Sequence, residues 1–166
     1  SAQAGKTSLN VAMTLEPPGL DPTTGAAAAI AQITLYNIYE GLTRINQDAT
    51  VSPMLAKTWT ISDDGKSYTF KLRTGVKYHD GTDFDSSDVK FTYERAVAKG
   101  AKGKGKKYLK AIASIATPDA HTVVLILKKP SPTFLFNLGR SSTVVVNSEA
   151  AASNATKPIG TGPFKF

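Results

Sequence analysis

The sequence predicts an α+β protein in which a mixed or antiparallel sheet is flanked by peripheral helices. Two β-hairpin patterns and several short helix patterns carry this prediction. The 166 residues are 41% hydrophobic and 20% charged, so the chain can bury one sizeable core and is not a disordered polymer. We therefore expect one folded unit, with room for a smaller appendage.

The first predicted strand leads into a loop. Leu9, Val11 and Met13 alternate with small or polar residues, which is the period of a strand with one buried face. The prolines at positions 17 and 18 remove two backbone donors, so the chain must leave any sheet there. Because loops at strand ends often contact ligands, this loop is a candidate binding segment.

A helix and a turn-rich connection are predicted after this loop. Ile30, Ile33 and Tyr36 recur at helical spacing in a helix predicted over residues 25–39. Residues 42–54 mix short apolar pieces with turn-forming residues, so we expect an irregular passage there.

Two β-hairpins provide the clearest strand signals. Residues 59–61 and 68–72 flank the turn formers at 63–66, and the second of these strands alternates large apolar with polar side chains. Residues 117–120 form the predicted turn of the other hairpin. Its return strand, residues 123–127, is apolar throughout and is therefore predicted to be central in the sheet.

Two more helices and one strand complete the predicted elements. Asp85 stands three residues before Asp88, an N-cap arrangement for a helix that ends at Gly100. A short helix is predicted from residue 132 to residue 138, and the apolar run 143–146 predicts one more strand. The apolar stripe of the longer helix is predicted to comprise Val89, Tyr93, Ala96 and Val97.

Much of the clustered positive charge in this chain of net charge +7 lies in one segment. Lysines alternate with glycines from Lys99 to Lys110, and Tyr108 is the single aromatic residue among them. Charge runs of this kind are usually solvated, which predicts a mobile loop and no nucleic-acid partner. A basic nucleic-acid-binding module that uses this segment is the alternative, because clustered lysines release counterions from phosphate backbones.

The motifs of the sequence do not indicate catalysis, a metal or a cofactor. His79 and Asp80 lack a nearby second histidine and are interpreted as a structural turn. Residues 160–162, Gly-Thr-Gly, lack the lysine and the following helix of a phosphate loop. A hydrolase is the weakest alternative, because no nucleophile elbow occurs, and zero cysteines exclude thiolate chemistry. We expect no catalytic residues, no metal site and no cofactor.

An ordered set of motifs resembles a known family. Residues 55–81 read LAKTWTISDDGKSYTFKLRTGVKYHDG, and residues 85–91 read DSSDVKF at the interval usual in that family. Residues 36–42 (YNIYEGL) and 160–164 (GTGPF) resemble its flanking motifs. On these residues the chain resembles the N-terminal portion of an extracytoplasmic solute-binding protein of the peptide/nickel-binding family, the capture component of an ABC transporter.

The resemblance implies a fold and a domain organisation. It covers essentially the whole chain but well under half of a full-length member, so we expect a fragment that lacks the second lobe. The chain would be part of lobe I of a periplasmic-binding-protein type II (class C) fold. Residues 1–44 would be the first segment of its ligand-contacting domain and residues 45–157 the extra domain typical of the peptide-binding class. Residues 158–166 would be the truncated return into lobe I.

The resemblance also implies a function, which is capture of a solute, favouring an oligopeptide or dipeptide, and its delivery to an ABC importer. The implied partners are the small solute, the permease subunits and the missing C-terminal lobe of the same protein. The implied location is periplasmic or membrane-anchored extracytoplasmic. The motifs leave open whether the solute is a peptide, an opine, a sugar, haem or a nickel chelate. Mapped by motif, the residues that fall where the first lobe meets ligand are Glu16, Pro17, Pro18, Gly19 and Leu20.

Overall fold

The structure, a computed structural model, describes residues 10–166 of the chain. Its strands lie in one four-stranded and one two-stranded antiparallel sheet, which confirms the predicted α+β class. The strands are β1 (Thr43–Ile45), β2 (Val51–Pro53), β3 (Ala56–Ile61), β4 (Ser67–Leu72), β5 (Ile112–Asp119) and β6 (Thr122–Leu127). The helices are α1 (Ala28–Thr34), α2 (Ser86–Val97), α3 (Gly105–Leu109) and α4 (Phe134–Asn137), with a 3₁₀ turn at Ser141–Thr143.

The four-stranded sheet contains both predicted hairpins. Its strand order is β3, β4, β6, β5, so the apolar β6 is an interior strand, as predicted. Val123 and Leu125 on β6 are fully buried because alternate residues face the core. The second turn is shorter than predicted, since Asp119 pairs with Thr122 and leaves two residues between the strands.

Helix α2 begins at the predicted N-cap. The Asp85 side chain accepts a hydrogen bond from the Ser87 N–H at 2.7 Å, and the Asp88 carboxylate accepts one from the Asp85 N–H at 3.2 Å. This reciprocal arrangement is a capping box, which satisfies backbone donors that the helix itself cannot use. Val89 and Tyr93 are buried on the inner face, as predicted.

The end of α2 differs from the prediction. Val97 is the last helical residue and is 37% exposed, so its assignment to the apolar stripe is wrong. Ala98 leaves the helical conformation, and the chain turns before it reaches Gly100. Gly100 has a φ of 84° in that turn, which glycine adopts without strain.

Helix α1 is shorter than the helix predicted over residues 25–39. It ends at Thr34, and Tyr36 has a φ of 61° that no α-helix continues through. The Tyr36 hydroxyl donates to the Gly139 carbonyl at 2.6 Å and accepts from the Ile45 N–H at 2.8 Å. These tertiary hydrogen bonds fix Tyr36 away from the helical position that its spacing suggests.

Residues 42–54 form a hairpin rather than the predicted irregular passage. Strands β1 and β2 pair antiparallel, and in their turn the Asp48 carboxylate accepts hydrogen bonds from the N–H and the hydroxyl of Thr50. Each strand has three residues, too few for an alternation pattern to be recognised.

The predicted strand at residues 143–146 is wrong, although the segment is buried. The Val145 N–H donates to the Glu40 carbonyl at 2.9 Å, and the Val146 N–H donates to the Thr92 hydroxyl at 3.1 Å. Because these acceptors belong to different parts of the chain, they form no strand ladder. Residues 143–146 are therefore buried without belonging to a sheet.

Helix α4 also begins later than predicted. Residues 132 and 133 form a turn that the Phe134 N–H closes by donating to the Ser131 carbonyl at 3.1 Å. Leu138 is buried, whereas Leu135 is half-buried.

The predicted N-terminal strand is wrong in the part that the structure describes. Leu9 lies outside the described residues, and residues 10–13 form no strand. Val11 is 73% exposed, and Met13 is exposed as well. No strand within residues 10–166 pairs with residues 10–13, so the alternating apolar side chains of this segment have no neighbouring sheet to pack against.

Two hydrophobic clusters stabilise these elements. The larger joins α2 to the four-stranded sheet and includes Phe70, Tyr93 and Leu125. The smaller packs α1 and the turn after it against the segment that follows the 3₁₀ turn; its buried members are Ile38, Tyr39, Val144, Val146 and Ala151.

Candidate functional site

The predicted ligand segment, residues 16–20, lies at the surface. Glu16 and Pro18 are exposed, and the other three residues are half-buried. The Leu20 N–H donates to the Ala155 carbonyl at 2.9 Å, which holds the end of the segment against the turns near the C-terminal end of the chain. The role of these residues in ligand contact stays a prediction.

Asp21 anchors the end of this segment to α2. Its side chain is 3% exposed and accepts hydrogen bonds from the N–H and the hydroxyl of Thr23 at 2.8 and 2.6 Å. The Arg95 guanidinium lies 3.3 Å from the same carboxylate. The pKa of Tyr39 is raised mainly by burial of its side chain and to a smaller extent by the nearby Asp21 carboxylate. Tyr39 is therefore a neutral phenol at physiological pH. The segment is thus fixed by a partly buried ion pair that sequence reasoning did not identify.

A cleft begins two residues after Leu20. Its volume is about 250 Å³, and we call it the α1 cleft. One wall is the chain from Pro22 through the first turn of α1, and the other combines Lys104 and Tyr108 with Arg140. Ser141 and Ser142 contribute polar groups to the same wall.

A more open groove of about 890 Å³ lies on the other side of Tyr108 and Arg140, and we call it the α4 groove. Its lining is largely apolar and aromatic, including Val51, Leu135 and Phe136. Tyr108 and Arg140 line both cavities. Apolar concavities with a few polar groups are typical of small-molecule sites.

Arg140 is held between aromatic rings. The centre of its guanidinium lies 4.8 Å from the ring centroid of Tyr108 and 5.2 Å from that of Phe136. Its Nε donates to the Asn137 side-chain oxygen at 3.0 Å. Arg140 could not be identified from the sequence, because α3 and α4 are distant in the chain and only packing brings them together.

The lysine-rich segment is partly a packed helix, so the predicted mobile loop is wrong for its second half. Helix α3 begins at Gly105, and Leu109 is buried. A Cβ on Gly103 would clash with the Thr23 carbonyl, and one on Gly105 would clash with the Ser142 carbonyl. These glycines therefore permit close backbone packing, while the lysines of the segment stay at or near the surface. The nucleic-acid alternative for this segment stays a prediction.

His79 has the structural role that the sequence predicted. Its Nε2 lies 2.7 Å from the Gly162 carbonyl, and its Nδ1 lies 3.4 Å from the Gly160 N–H. The neutral tautomer with its proton on Nε2 satisfies both contacts. His79 therefore fastens the glycine-rich return of the chain, and the Asp80 carboxylate accepts from the Thr82 N–H at 3.0 Å in the adjoining turn.

Within residues 10–166, no three histidine, aspartate or glutamate side chains come together as metal ligands. None of the helices in this range is both long enough and apolar enough to cross a membrane.

Sequence comparison relates the chain to known binding proteins. A family described as "Bacterial extracellular solute-binding proteins, family 5 Middle" matches residues 50–166. The glutathione-binding protein GsiB of Escherichia coli K12 is 33% identical over 151 residues. This alignment covers 89% of the chain and 29% of GsiB, so the chain spans less than a third of the length of that relative.

Solved structures share the fold. The binding protein AgaA of A. tumefaciens R10, solved with agropinic acid, is 35% identical with a TM-score of 0.83 over 91% of this chain and 31% of AgaA. DppA of Helicobacter pylori, solved with the peptide STSA, is 31% identical with a TM-score of 0.81 over 91% of this chain and 35% of DppA. The antiparallel α+β arrangement therefore corresponds to part of a periplasmic binding protein. Because the family match covers more than half of the sequence, the chain belongs to the family 5 bacterial extracellular solute-binding proteins, a family of binding proteins and not of enzymes.

Proposed function

We propose that this chain is part of the first lobe of a protein that captures an oligopeptide or dipeptide and delivers it to the permease subunits of an ABC importer. The observation that carries the proposal is the family match over residues 50–166, together with the fold shared with a binding protein solved with a peptide. The α1 cleft beside the predicted ligand segment supports it, because solute capture needs a concave surface.

The proposed mechanism is closure of two lobes around the solute. Contacts from both lobes stabilise the closed form, and the importer recognises that form. This chain supplies one face, and the C-terminal lobe of the same protein supplies the other. The protein acts in the periplasm or while anchored to the outer side of the membrane.

The proposed lobe is a class C lobe I with the domain boundaries expected from the sequence. Residues 1–44 are the first segment of the ligand-contacting domain, residues 45–157 form the extra domain, and residues 158–166 are the truncated return into lobe I. In the ligand-contacting domain, residues 16–20 face the solute. Two observations support this role of residues 16–20. Glu16 is exposed, and Asp21, the residue that follows the segment, is anchored and so holds the segment in one place.

A thermal-shift screen tests this function. The full-length protein and this chain are heated with short peptides, opines, sugars and nickel chelates, because a ligand that binds the native state alone raises the melting temperature. At a concentration about 100 times Kd the stabilisation is about 2.7 kcal/mol.

We expect a shift of the full-length protein with peptides. A shift with opines or nickel chelates alone would replace the peptide class while keeping solute capture. No shift with any solute class would contradict the proposal. Glu16→Gln then tests whether residues 16–20 contact the solute. Glu94→Gln is the control, because Glu94 is an exposed residue of α2.

A further inference from the structure

The excess positive charge of the chain lies in one continuous part of the sequence. Residues 95–148 contain ten of the 20 lysines and arginines but one of the 13 acidic residues, Asp119. This part has a net charge of +9, whereas the remaining residues together have a net charge of −2. An asymmetry of this size indicates a surface that attracts a polyanion, such as a nucleic acid or a membrane.

The fold brings many of these charges together on a surface that we call the basic patch. It consists of the lysines of residues 99–110 with Lys128 and Lys129, and all of them except Lys106 are exposed. The Lys128 ammonium donates to the Lys110 carbonyl at 2.8 Å, which joins the residue after β6 to the end of α3. The Lys106 ammonium donates to the Ala98 carbonyl at 3.1 Å, which joins α3 to the end of α2. The patch is therefore built from three elements that tertiary contacts hold side by side.

The charge of the basic patch is not neutralised by the described part of the chain. The ion pairs found within residues 10–166 join Lys77 to Asp83 and Arg95 to Asp21, so they include no lysine of the patch. Lys106 and Lys128 bond to carbonyl oxygens, which leave the charge of both ammonium groups uncompensated. A lysine is a hydrated point charge on a flexible stem, so a group of exposed lysines suits an extended anionic surface better than one fixed ligand.

The chemistry of the patch favours a membrane over a nucleic acid. Single-stranded nucleic-acid sites usually combine cations with several stacking aromatic side chains. Residues 99–110 contain one aromatic residue, Tyr108, and the Arg140 guanidinium already lies 4.8 Å from its ring centroid. The chain belongs to a family of bacterial extracellular proteins, for which phospholipid headgroups are an accessible anionic surface. Clusters of about four to eight lysines and arginines are typical of segments that bind anionic headgroups.

We propose that the basic patch docks the protein reversibly on an anionic phospholipid surface. Each lysine close to such a surface strengthens the attraction by about fivefold. Lys104 lines the α1 cleft and Lys107 lines the α4 groove, so docking through the patch places both cavities near the membrane plane, where an importer lies. The inference goes beyond the proposed function and does not depend on which solute the protein captures.

Vesicle sedimentation of the full-length protein tests the proposal. The vesicles contain phosphatidylcholine alone or equal parts of phosphatidylcholine and phosphatidylglycerol, and the salt is about 50 or 200 mM NaCl. Affinity is compared between the two kinds of vesicle, because a lipid anchor on the protein would insert into both. Titration of duplex DNA at the same salt concentrations examines the nucleic-acid alternative.

Two triple variants with the same net charge separate the patch from the overall charge. The patch variant removes three exposed charges that line neither cavity; its changes are Lys99→Gln, Lys110→Gln and Lys129→Gln. The control variant removes three exposed charges outside the patch; its changes are Lys57→Gln, Lys157→Gln and Lys165→Gln. Circular dichroism melting establishes that each variant is folded.

The wild type should bind the anionic vesicles about tenfold or more tightly than the neutral vesicles at low salt. Raising the salt should weaken this binding by about tenfold, because the attraction falls off within a shorter Debye length. The patch variant should lose about 10- to 100-fold in affinity for the anionic vesicles, and the control variant less than about threefold.

Three results overturn the inference. Equal losses in the two triple variants would mean that net charge alone is responsible, equal binding to both kinds of vesicle would exclude recognition of the headgroup charge, and binding to DNA alone would support the nucleic-acid alternative. If the patch variant does not fold, the double variant of Lys99→Gln and Lys129→Gln is compared with that of Lys57→Gln and Lys157→Gln in the same way. A protein that binds anionic vesicles through the patch but no solute in the thermal-shift screen would refute the proposed solute capture and support membrane docking.

Discussion

Asp21 allows a direct test of how the predicted ligand segment is held. Its side chain is 3% exposed and faces an Arg95 side chain that is 30% exposed. Replacing Asp21 with alanine removes the acceptor of two hydrogen bonds from Thr23 and leaves the Arg95 charge without its partner. The substitution should therefore destabilise the contact between the segment and α2.

The size of the effect follows from these contacts. Removing one partner of a fully buried ion pair costs about 3–5 kcal/mol, but the 3.3 Å separation and the partial exposure of Arg95 allow water to recover much of that. We assign roughly 1–2 kcal/mol to the pair and about 1–2 kcal/mol to the unsatisfied Thr23 donors. Asp21→Ala should then lower the free energy of unfolding by about 2–4 kcal/mol. Asp21→Asn keeps an acceptor for Thr23 and should lose about 1–2 kcal/mol.

Urea unfolding of the chain, followed by the fluorescence of Trp59, its single tryptophan, measures these changes. Arg95→Met and the double variant with Asp21→Ala complete a cycle, in which we expect a coupling of about 1 kcal/mol or more. Glu94→Ala is the control, since Glu94 is an exposed acid on the same helix and should change stability by less than about 0.5 kcal/mol. A loss below about 0.5 kcal/mol for Asp21→Ala, or a coupling near zero, would refute the reasoning.

The same unfolding assay tests four further sites. Asp85→Ala removes the N-cap of α2 and should cost about 1 kcal/mol, whereas an unchanged midpoint would mean that the capping box is not formed in solution. Leu125→Ala opens a cavity at a fully buried position of β6 and should cost about 3–5 kcal/mol; a loss under about 1 kcal/mol would contradict the interior position of that strand. Tyr36→Phe leaves the Ile45 N–H without its acceptor and should cost about 1–3 kcal/mol, with no loss counting against the two hydrogen bonds. Burial raises the pKa of the Asp88 carboxyl above its ordinary value of 3.8, so the folded chain holds that proton more tightly than the unfolded chain does. Relative to Asp88→Asn, the wild type should therefore gain stability as the pH falls from neutral through the folded pKa towards about 4, and a difference that does not vary with pH would be evidence against this.

The elements that sequence analysis predicted well are those whose information is local. In the hairpin of β3 and β4, the turn residues lie between strands long enough to show alternation. The capping box of Asp85 and Asp88 lies within three residues of sequence. Burial of β6 was predictable because its apolar residues are continuous.

The errors arose where distant contacts override local preference. Tyr36 has helical spacing, but its hydroxyl bonds to residues nine and 103 positions away, which fixes a left-handed backbone instead. Residues 143–146 are as apolar as a strand, yet their hydrogen-bond acceptors belong to different parts of the chain. Glycines 103 and 105 suggested mobility, although they permit close packing.

The sequence by itself determined the family, the α+β class and the principal hairpins, because ordered motifs and hydrophobic periodicity are properties of contiguous residues. The tertiary structure alone decided the surroundings of the candidate site. The Asp21–Arg95 pair spans 74 positions, and the rings that hold Arg140 belong to two separate helices. No spacing rule relates such residues, since they meet only when the chain packs its apolar surfaces together.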